Sequence, residues 1–383
     1  MTWTADERQL ITLNDGAGWV DPPDRFFKRS LWSISGDDPR NLSARIVEGF
    51  PAVEQSEEPE DAPHYHGHGL LAVRGRVYQF LIALDQAQER PRHWTTAKLI
   101  YSDDGGRSWR NQDGSAPVRW ESWDEQESDK FAFFNEPGGC FSLLTILQMG
   151  QDYRANRDGY IYVYGTNGNV DGQMNELVLF RVGIDDILDR RAYRFFAGLQ
   201  PDGSPLWSET LDDRRPVHVF PRGWVNSTNL FPGDLVVETW LPSIVYNQAL
   251  DVFMMVSSGN GCADDGTEFG KPSYLGFWIS KTPWGPWRQI HEERAWTPGG
   301  DPLARAYSPQ IGPQWISADG KSFWLVWSDL KGIREIAQAM NSPEAEPPAA
   351  KTPQETALEA NTLMRSFMPG YGFNAQLVEL DVE

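Results

Sequence analysis

Apolar and polar positions alternate along five separated stretches of the chain. These are residues 6–16 (DERQLITLNDG), 74–84 (RGRVYQFLIAL), 158–166 (DGYIYVYGT), 250–258 (LDVFMMVSS) and 319–329 (DGKSFWLVWSD). Each opens on a polar or glycine turn, runs through aromatic and β-branched residues, and closes on a small or acidic one. A period of two is the mark of a strand. Another strand-like run precedes each, such as 69–73 or 239–246. A third follows, at 28–35, 95–103, 176–182, 274–280 and 374–382. Dividing 383 residues by five gives about 77 per unit, the order of a large-loop propeller blade. The pattern predicts an all-β fold: a five-bladed β-propeller of four-stranded antiparallel blades, its ring completed by a terminal strand. A pair of β-sandwiches is the alternative. The propeller reading treats residues 1–383 as a single domain.

Helix is scarce. Residues 184–191 (IDDILDRR) have room for one or two turns. Residues 341–373 interrupt the last blade, beginning with a Pro/Ala linker (SPEAEPPAAKTP) and continuing at helical spacing (QETALEANTLMRSF). Such an insertion decorates a rim or covers the axis.

Composition narrows the function classes. With 54 acidic against 34 basic side chains, the formal charge is −20. That field repels phosphate backbones, so no nucleic-acid partner is expected. No run approaches the roughly 18 apolar residues of a membrane span, so no membrane partner is expected. The 17 Trp, 35 Gly and 27 Pro suit a turn-rich, aromatic-packed β fold. Cys140 and Cys262 stand in no metal-binding spacing. The start, MTWTADERQL, lacks a secretion signal's basic and apolar regions. The expected location is the cytoplasm, or the periplasm or exterior for a processed form.

Ser102, Asp104, Gly106, Ser108 and Trp109 fit the Asp-box pattern of sialidase-like propellers, with a degenerate copy at 280–287 (SKTPWGPW). The aspartate accepts backbone N–H groups inside a tight turn, glycine permits a positive φ, and tryptophan packs between sheets. The motif is a folding device. Taken with residues 3–16, 150–164, 179–203, 283–287 and 315–328, it makes the chain resemble a family of unknown-function propeller domains that includes bacterial endo-D-arabinanases. The resemblance implies a glycoside hydrolase cutting at the axial mouth, with carboxylates as acid and base. The chain departs from that family at 64–69, where HYHGHG replaces a Lys- or Ser-containing strand start.

Propeller topology puts the starts of first strands and the loops after second strands at the mouth. The expected catalytic residues are Asp15, Asp152 and Asp329 as carboxylates, His66 and His68 as acid or base, and Tyr307. Asp15 matches the first-blade Asp-Gly of the resembled family. Its partner is open among Asp152, Asp329 and Asp265, and an Asp before Gly also simply shapes a turn. His64, Tyr153, Arg154, Trp240, Tyr246 and Arg305 are expected to bind substrate, through stacking and hydrogen bonds to hydroxyls. His64, His66 and His68 alternate, so they project to one side of a strand. They suit a zinc pair, acid–base work, or hydrogen bonding at a polar rim. No cofactor is required and no residue is assigned as a metal ligand; a structural calcium or zinc has no clear motif behind it.

The expected function is hydrolysis of a poly- or oligosaccharide by a carboxylate pair. The second reading is a polysaccharide lyase acting by β-elimination, with His66 or His68, Tyr246 or Tyr307, and Arg154 or Arg305. A third is a non-catalytic glycan- or protein-binding propeller.

Overall fold

The computed structural model describes residues 1–54, 62–84, 94–126, 131–168, 174–221, 241–263, 267, 269–340 and 351–382. Five antiparallel sheets form the five blades of a propeller. The second strands are Gln9–Gly16, Arg76–Leu84, Tyr160–Thr166, Val252–Gly259 and Ser322–Asp329, which match the five alternating stretches. The innermost strands are Thr2–Trp3, Tyr65–Val73, Leu144–Ile146, Ser243–Asn247 and Ala306–Ile316, and each contacts the next around the ring. Among the described residues the sheets hold five, four, six, four and three strands in chain order.

Each blade is sandwiched between two neighbours, so the period-two pattern is apolar on both faces. On Arg76–Leu84, Tyr78, Phe80 and Ile82 join the core shared with the third blade. Val77, Leu81 and Ala83 join the core shared with the first.

The sequence predicts that a terminal strand completes the ring, but the ring does not close in that way. The first blade already has an innermost strand at Thr2–Trp3, and Asn374–Glu379 pairs only with Ser322–Asp329 of its own blade. Side chains close the seam instead. Trp315 packs with Ile11, Trp32, Ile34 and Val326, and its Nε1 donates to the Gly36 carbonyl at 2.8 Å. Among the described residues the last blade has three strands.

Residues 184–191 give only a single 3-10 turn, Arg190–Ala192. One helix, Ile333–Met340, directly precedes the insertion, and the insertion itself forms another, Pro353–Phe367. The second starts on a capping box: Thr352 accepts from the Glu355 N–H while the Glu355 side chain accepts from the Thr352 N–H. Its buried Asn361 donates to the carbonyls of Pro23 and Arg25, both at 2.9 Å. The helix therefore reaches from the fifth blade to the first. No helix among the described residues is long and apolar enough to cross a membrane.

The Ser102–Trp109 turn is held by its own side chains. Asp104 Oδ1 accepts from the Ser108 N–H at 2.9 Å, and Oδ2 accepts from the Ser108 hydroxyl at 2.7 Å. Gly106 has φ +98°, and Trp109 Nε1 donates to the Gly106 carbonyl at 3.0 Å. Desolvation alone would raise the Asp104 carboxyl, but the Ser108 and Ser102 hydrogen bonds outweigh it and bring it down to about 2. A depressed carboxylate contributes stability above the ordinary value of 3.8 and loses it as pH falls through about 2. Asp104→Asn should therefore melt below wild type at pH 6, with the gap closing between pH 4 and pH 2. A gap that is the same at both ends of that range would rule the carboxylate out as its source.

Candidate active site at the axial mouth

A cavity of about 500 Å³ runs along the propeller axis. Every blade contributes to its wall, through residues within 11–19, 66–70, 144–148, 241–244, and 307–310 with 326–328. Asn361, Met364, Arg365 and Met368 of the insertion helix roof it, together with Tyr371 and Phe373. The insertion thus covers the axis as well as edging the rim.

Asp15, His64 and His66 meet at the cavity mouth. His66 Nε2 lies 3.4 Å from Asp15 Oδ2, the His64 and His66 ring centres are 4.6 Å apart, and Lys28 Nζ is 3.7 Å from Asp15 Oδ1. The 3.4 Å separation is an ion-pair distance, longer than a charge-assisted hydrogen bond. One ligand-type atom from each of Asp15, His64 and His66 lies within 4.8 Å of the others. His68 sits further along the same strand, and Tyr307 lines the opposite wall.

The local sequence explains this convergence. Asp15, next to last in its strand, has φ +53°, a conformation that L residues rarely adopt, and Tyr371 donates to its carbonyl at 3.0 Å. Asn14 Oδ1 accepts from the Gly67 N–H at 3.0 Å, fastening the first blade to the histidine strand. Gly67 is obligatory there, because a Cβ would lie 2.1 Å from Thr12 Cγ2. Tyr65 points the other way from its histidine neighbours, into a buried network. Its hydroxyl donates to Glu121 Oε1, Glu121 Oε2 pairs with Lys98 Nζ at 2.8 Å, and Arg29 donates to the Tyr65 carbonyl at 2.9 Å. Trp94 presents an edge to His66, with ring centres 5.2 Å apart.

Burial pushes the Asp15 carboxyl up, but the His66 contact and the charges of His66, Lys28 and His64 more than offset it and leave it below its usual value. Burial lowers His66 despite the opposing pull of Asp15. Burial and the neighbouring His66 lower His68 to about 3. At neutral pH the mouth therefore carries an ionised Asp15 beside the neutral imidazoles of His66 and His68.

The structure brings together Asp15, His64, His66, His68 and Tyr307. The other expected residues that are described do not line the cavity. Asp152 accepts from the Gly75 N–H at 2.9 Å, beside the turn at the opposite end of the histidine strand. Tyr153 is buried and donates to the Tyr160 carbonyl, and exposed Arg154 reaches only Gln151. The reason is register. The innermost strand of the third blade is Leu144–Ile146, so the chain has already crossed to the far end when it reaches Asp152. Tyr246 is likewise at the far end of its strand and donates to Asp251 at 2.7 Å. Asp329 Oδ1 accepts from the N–H groups of Arg305 and Lys331, both at 2.8 Å, which makes it a turn former. The Arg305 guanidinium donates to the carbonyls of Phe269, Ala304 and Pro302. Trp240 lies outside the described residues, as does Asp265.

Asp15 is the only carboxylate among the described residues that line the cavity. The expected carboxylate pair is thus not assembled by Asp152 or Asp329. Sequence reasoning also passes over Asn14, Lys28, Arg365 and Tyr371. Asn14 adjoins the Asp-Gly signal, and the spacing of the insertion hints at a cover, but nothing local marks Lys28.

A family profile for a domain of unknown function, DUF4185, matches residues 68–332, more than half of the chain. The chain belongs to the DUF4185 family. This bears out the resemblance seen in the sequence. The matched span of this DUF4185 protein begins at His68, so Asp15, His64 and His66 precede it. No curated protein matches the chain. Among solved structures, a thermostable family-43 glycoside hydrolase is similar at 13% identity and TM-score 0.44, over 83% of this chain and 84% of its own. Cellvibrio cellulosa α-L-arabinanase complexed with arabinohexaose is similar at 13% identity and TM-score 0.42, over 98% and 91%. The catalytic domain of a Coprinopsis cinerea GH62 α-L-arabinofuranosidase is similar at 9% identity and TM-score 0.37, over 89% and 88%.

Lys98 and Glu121 are 2% and 0% exposed, and burial holds the lysine below its usual range despite the attraction of Glu121. Removing one partner of such a pair strands the other charge, at a cost of about 3–5 kcal/mol. Lys98→Met should lose about that much in urea unfolding, and Lys98→Met with Glu121→Gln should regain most of it. A single variant as stable as wild type would show that the pair does not anchor the histidine strand.

Proposed function

We propose that this DUF4185 protein is a carbohydrate-active hydrolase that takes a sugar chain into its axial cavity. The attacking water is held at the Asp15, His64 and His66 cluster. The observation that carries this reading is the convergence of that cluster on a cavity of about 500 Å³ with aromatic walls. The volume lies within the usual range for small-ligand pockets, roughly 300–1,000 Å³. Trp19, Tyr307, Trp327, Tyr371 and Phe373 supply apolar faces for sugar rings, while Asn14 and Gln310 supply polar atoms for hydroxyls. The resemblance to a family that includes endo-D-arabinanases supports a glycan substrate.

Hydrolysis also needs a proton donor to the leaving oxygen. Tyr307, which lines the cavity, is the described catalytic candidate that can supply it. A lyase reading stays beside this one for a specific reason. The lone carboxylate is flanked by Lys28, and Arg365 lines the same cavity, so cations are present to meet a uronate carboxylate.

A glycan panel separates the two. Hydrolysis gives new reducing ends without ultraviolet absorbance, whereas β-elimination gives an absorbing unsaturated uronide. Asp15→Asn should lower kcat/KM by roughly 10²–10⁴-fold, the scale of a general acid–base contribution, with glycan binding retained. Full activity in that variant would overturn the assignment. Tight glycan binding by wild type without any cleavage would favour a binding module instead.

A further inference from the structure

We propose that Asp15, His64 and His66 form a site for a zinc-class divalent cation, open on one side to the axial cavity. The inference deepens the hydrolase reading and rests on it for the role of the ion, but the site stands on its own geometry.

The donors come from two blades. Asp15 is the penultimate residue of the second strand of the first blade, and His64 and His66 flank Tyr65, the first residue of the innermost strand of the second. One donor atom from each lies within 4.8 Å of the others. Zinc bonds of about 2.0–2.1 Å at a tetrahedral angle separate neighbouring donors by about 3.4 Å. His66 Nε2 and Asp15 Oδ2 are 3.4 Å apart, a spacing that suits two ligands of one ion better than a hydrogen bond.

Tautomer chemistry points the same way. His66 is 8% exposed, and its buried Nδ1 has no hydrogen-bond partner. With the proton on Nδ1, the Nε2 lone pair faces the carboxylate lone pairs. With the proton on Nε2, the long contact to Asp15 is poor and a lone pair is orphaned at Nδ1. A cation between Nε2 and Oδ2 removes the first conflict.

The donor set also selects the ion. Two imidazoles and one carboxylate suit zinc or its neighbours, whereas calcium takes six to eight oxygens. Lys28 lies on the other carboxylate oxygen, Oδ1, which leaves Oδ2 as a single donor. Three protein ligands leave a fourth position for water or a sugar hydroxyl.

The test uses the full chain, stripped with chelator and titrated with zinc chloride in a calorimeter. The expected result is one zinc per chain. Cobalt at the same site should give the visible absorption of a four-coordinate ion. Asp15→Asn and His64→Ala, at partly exposed positions, should each weaken zinc binding by at least about a hundredfold, since even outer-shell changes cost roughly 10–100-fold. His291→Ala, at an exposed histidine, should leave binding unchanged. No uptake by wild type, or equal uptake by Asp15→Asn and His64→Ala, would overturn the site. Zinc bound without cleavage of any glycan would sink the hydrolase reading and keep the site. Cleavage by a stripped chain that takes up no zinc would do the reverse.

Discussion

At the axis, the Gly67 backbone lies against the side chain of Thr12 with no room for a Cβ. That contact sets how closely the first two blades approach. The Asn14–Gly67 hydrogen bond then fixes the register between them. Together they put the end of one strand, Asp15, beside the start of another, His66. The same crowding recurs around the ring, where innermost strands meet and Gln148 links the third blade to the second by donating to the Leu70 carbonyl. Such close packing leaves no slack for a site to drift.

Charge is arranged against the average. The chain is strongly acidic, yet the described residues around the mouth include Lys28 and Arg365, with Arg29 and Lys98 buried behind it. Net charge describes the far field, whereas the cavity is governed by groups within a few ångströms. The buried Lys98–Glu121 pair adds little net stability over an apolar pair of the same size. Its effect is orientational. It holds Tyr65 inward, so that the residues on either side of Tyr65 face the mouth.

The insertion links the closing blade to the site. Asn361 ties the helix to the carbonyls of Pro23 and Arg25 in the first blade, and Tyr371 holds the carbonyl of Asp15. The segment that roofs the cavity therefore also fixes the backbone of its carboxylate. A contact at the roof and the geometry at the mouth are mechanically coupled, because one hydroxyl joins them.

Alternation alone located the second strand of every blade, since a strand packed between sheets needs large side chains at successive positions. Gly106 and Trp109 marked a tight turn through their own backbone and packing demands. Asp15 was legible through the likeness of its strand-end Asp-Gly to the resembled family's first blade, and the histidines because alternating His-x-His stands out as a local pattern. What the sequence could not supply was which end of a strand faces the mouth. Asp152 and Asp15 read alike as polar residues beside glycine-rich turns, and so does Asp329 at a strand end. Only the position of Leu144–Ile146 sends Asp152 to the far rim, and only the N–H groups of Arg305 and Lys331 make Asp329 a turn former. Lys28, Arg365 and Tyr371 join the site from sequence positions far from Asp15 or beyond any local pattern. Local periodicity determines strands, because it is set by neighbours along the chain. Convergence on the axis is decided by packing between blades, because it depends on distances that no local pattern encodes.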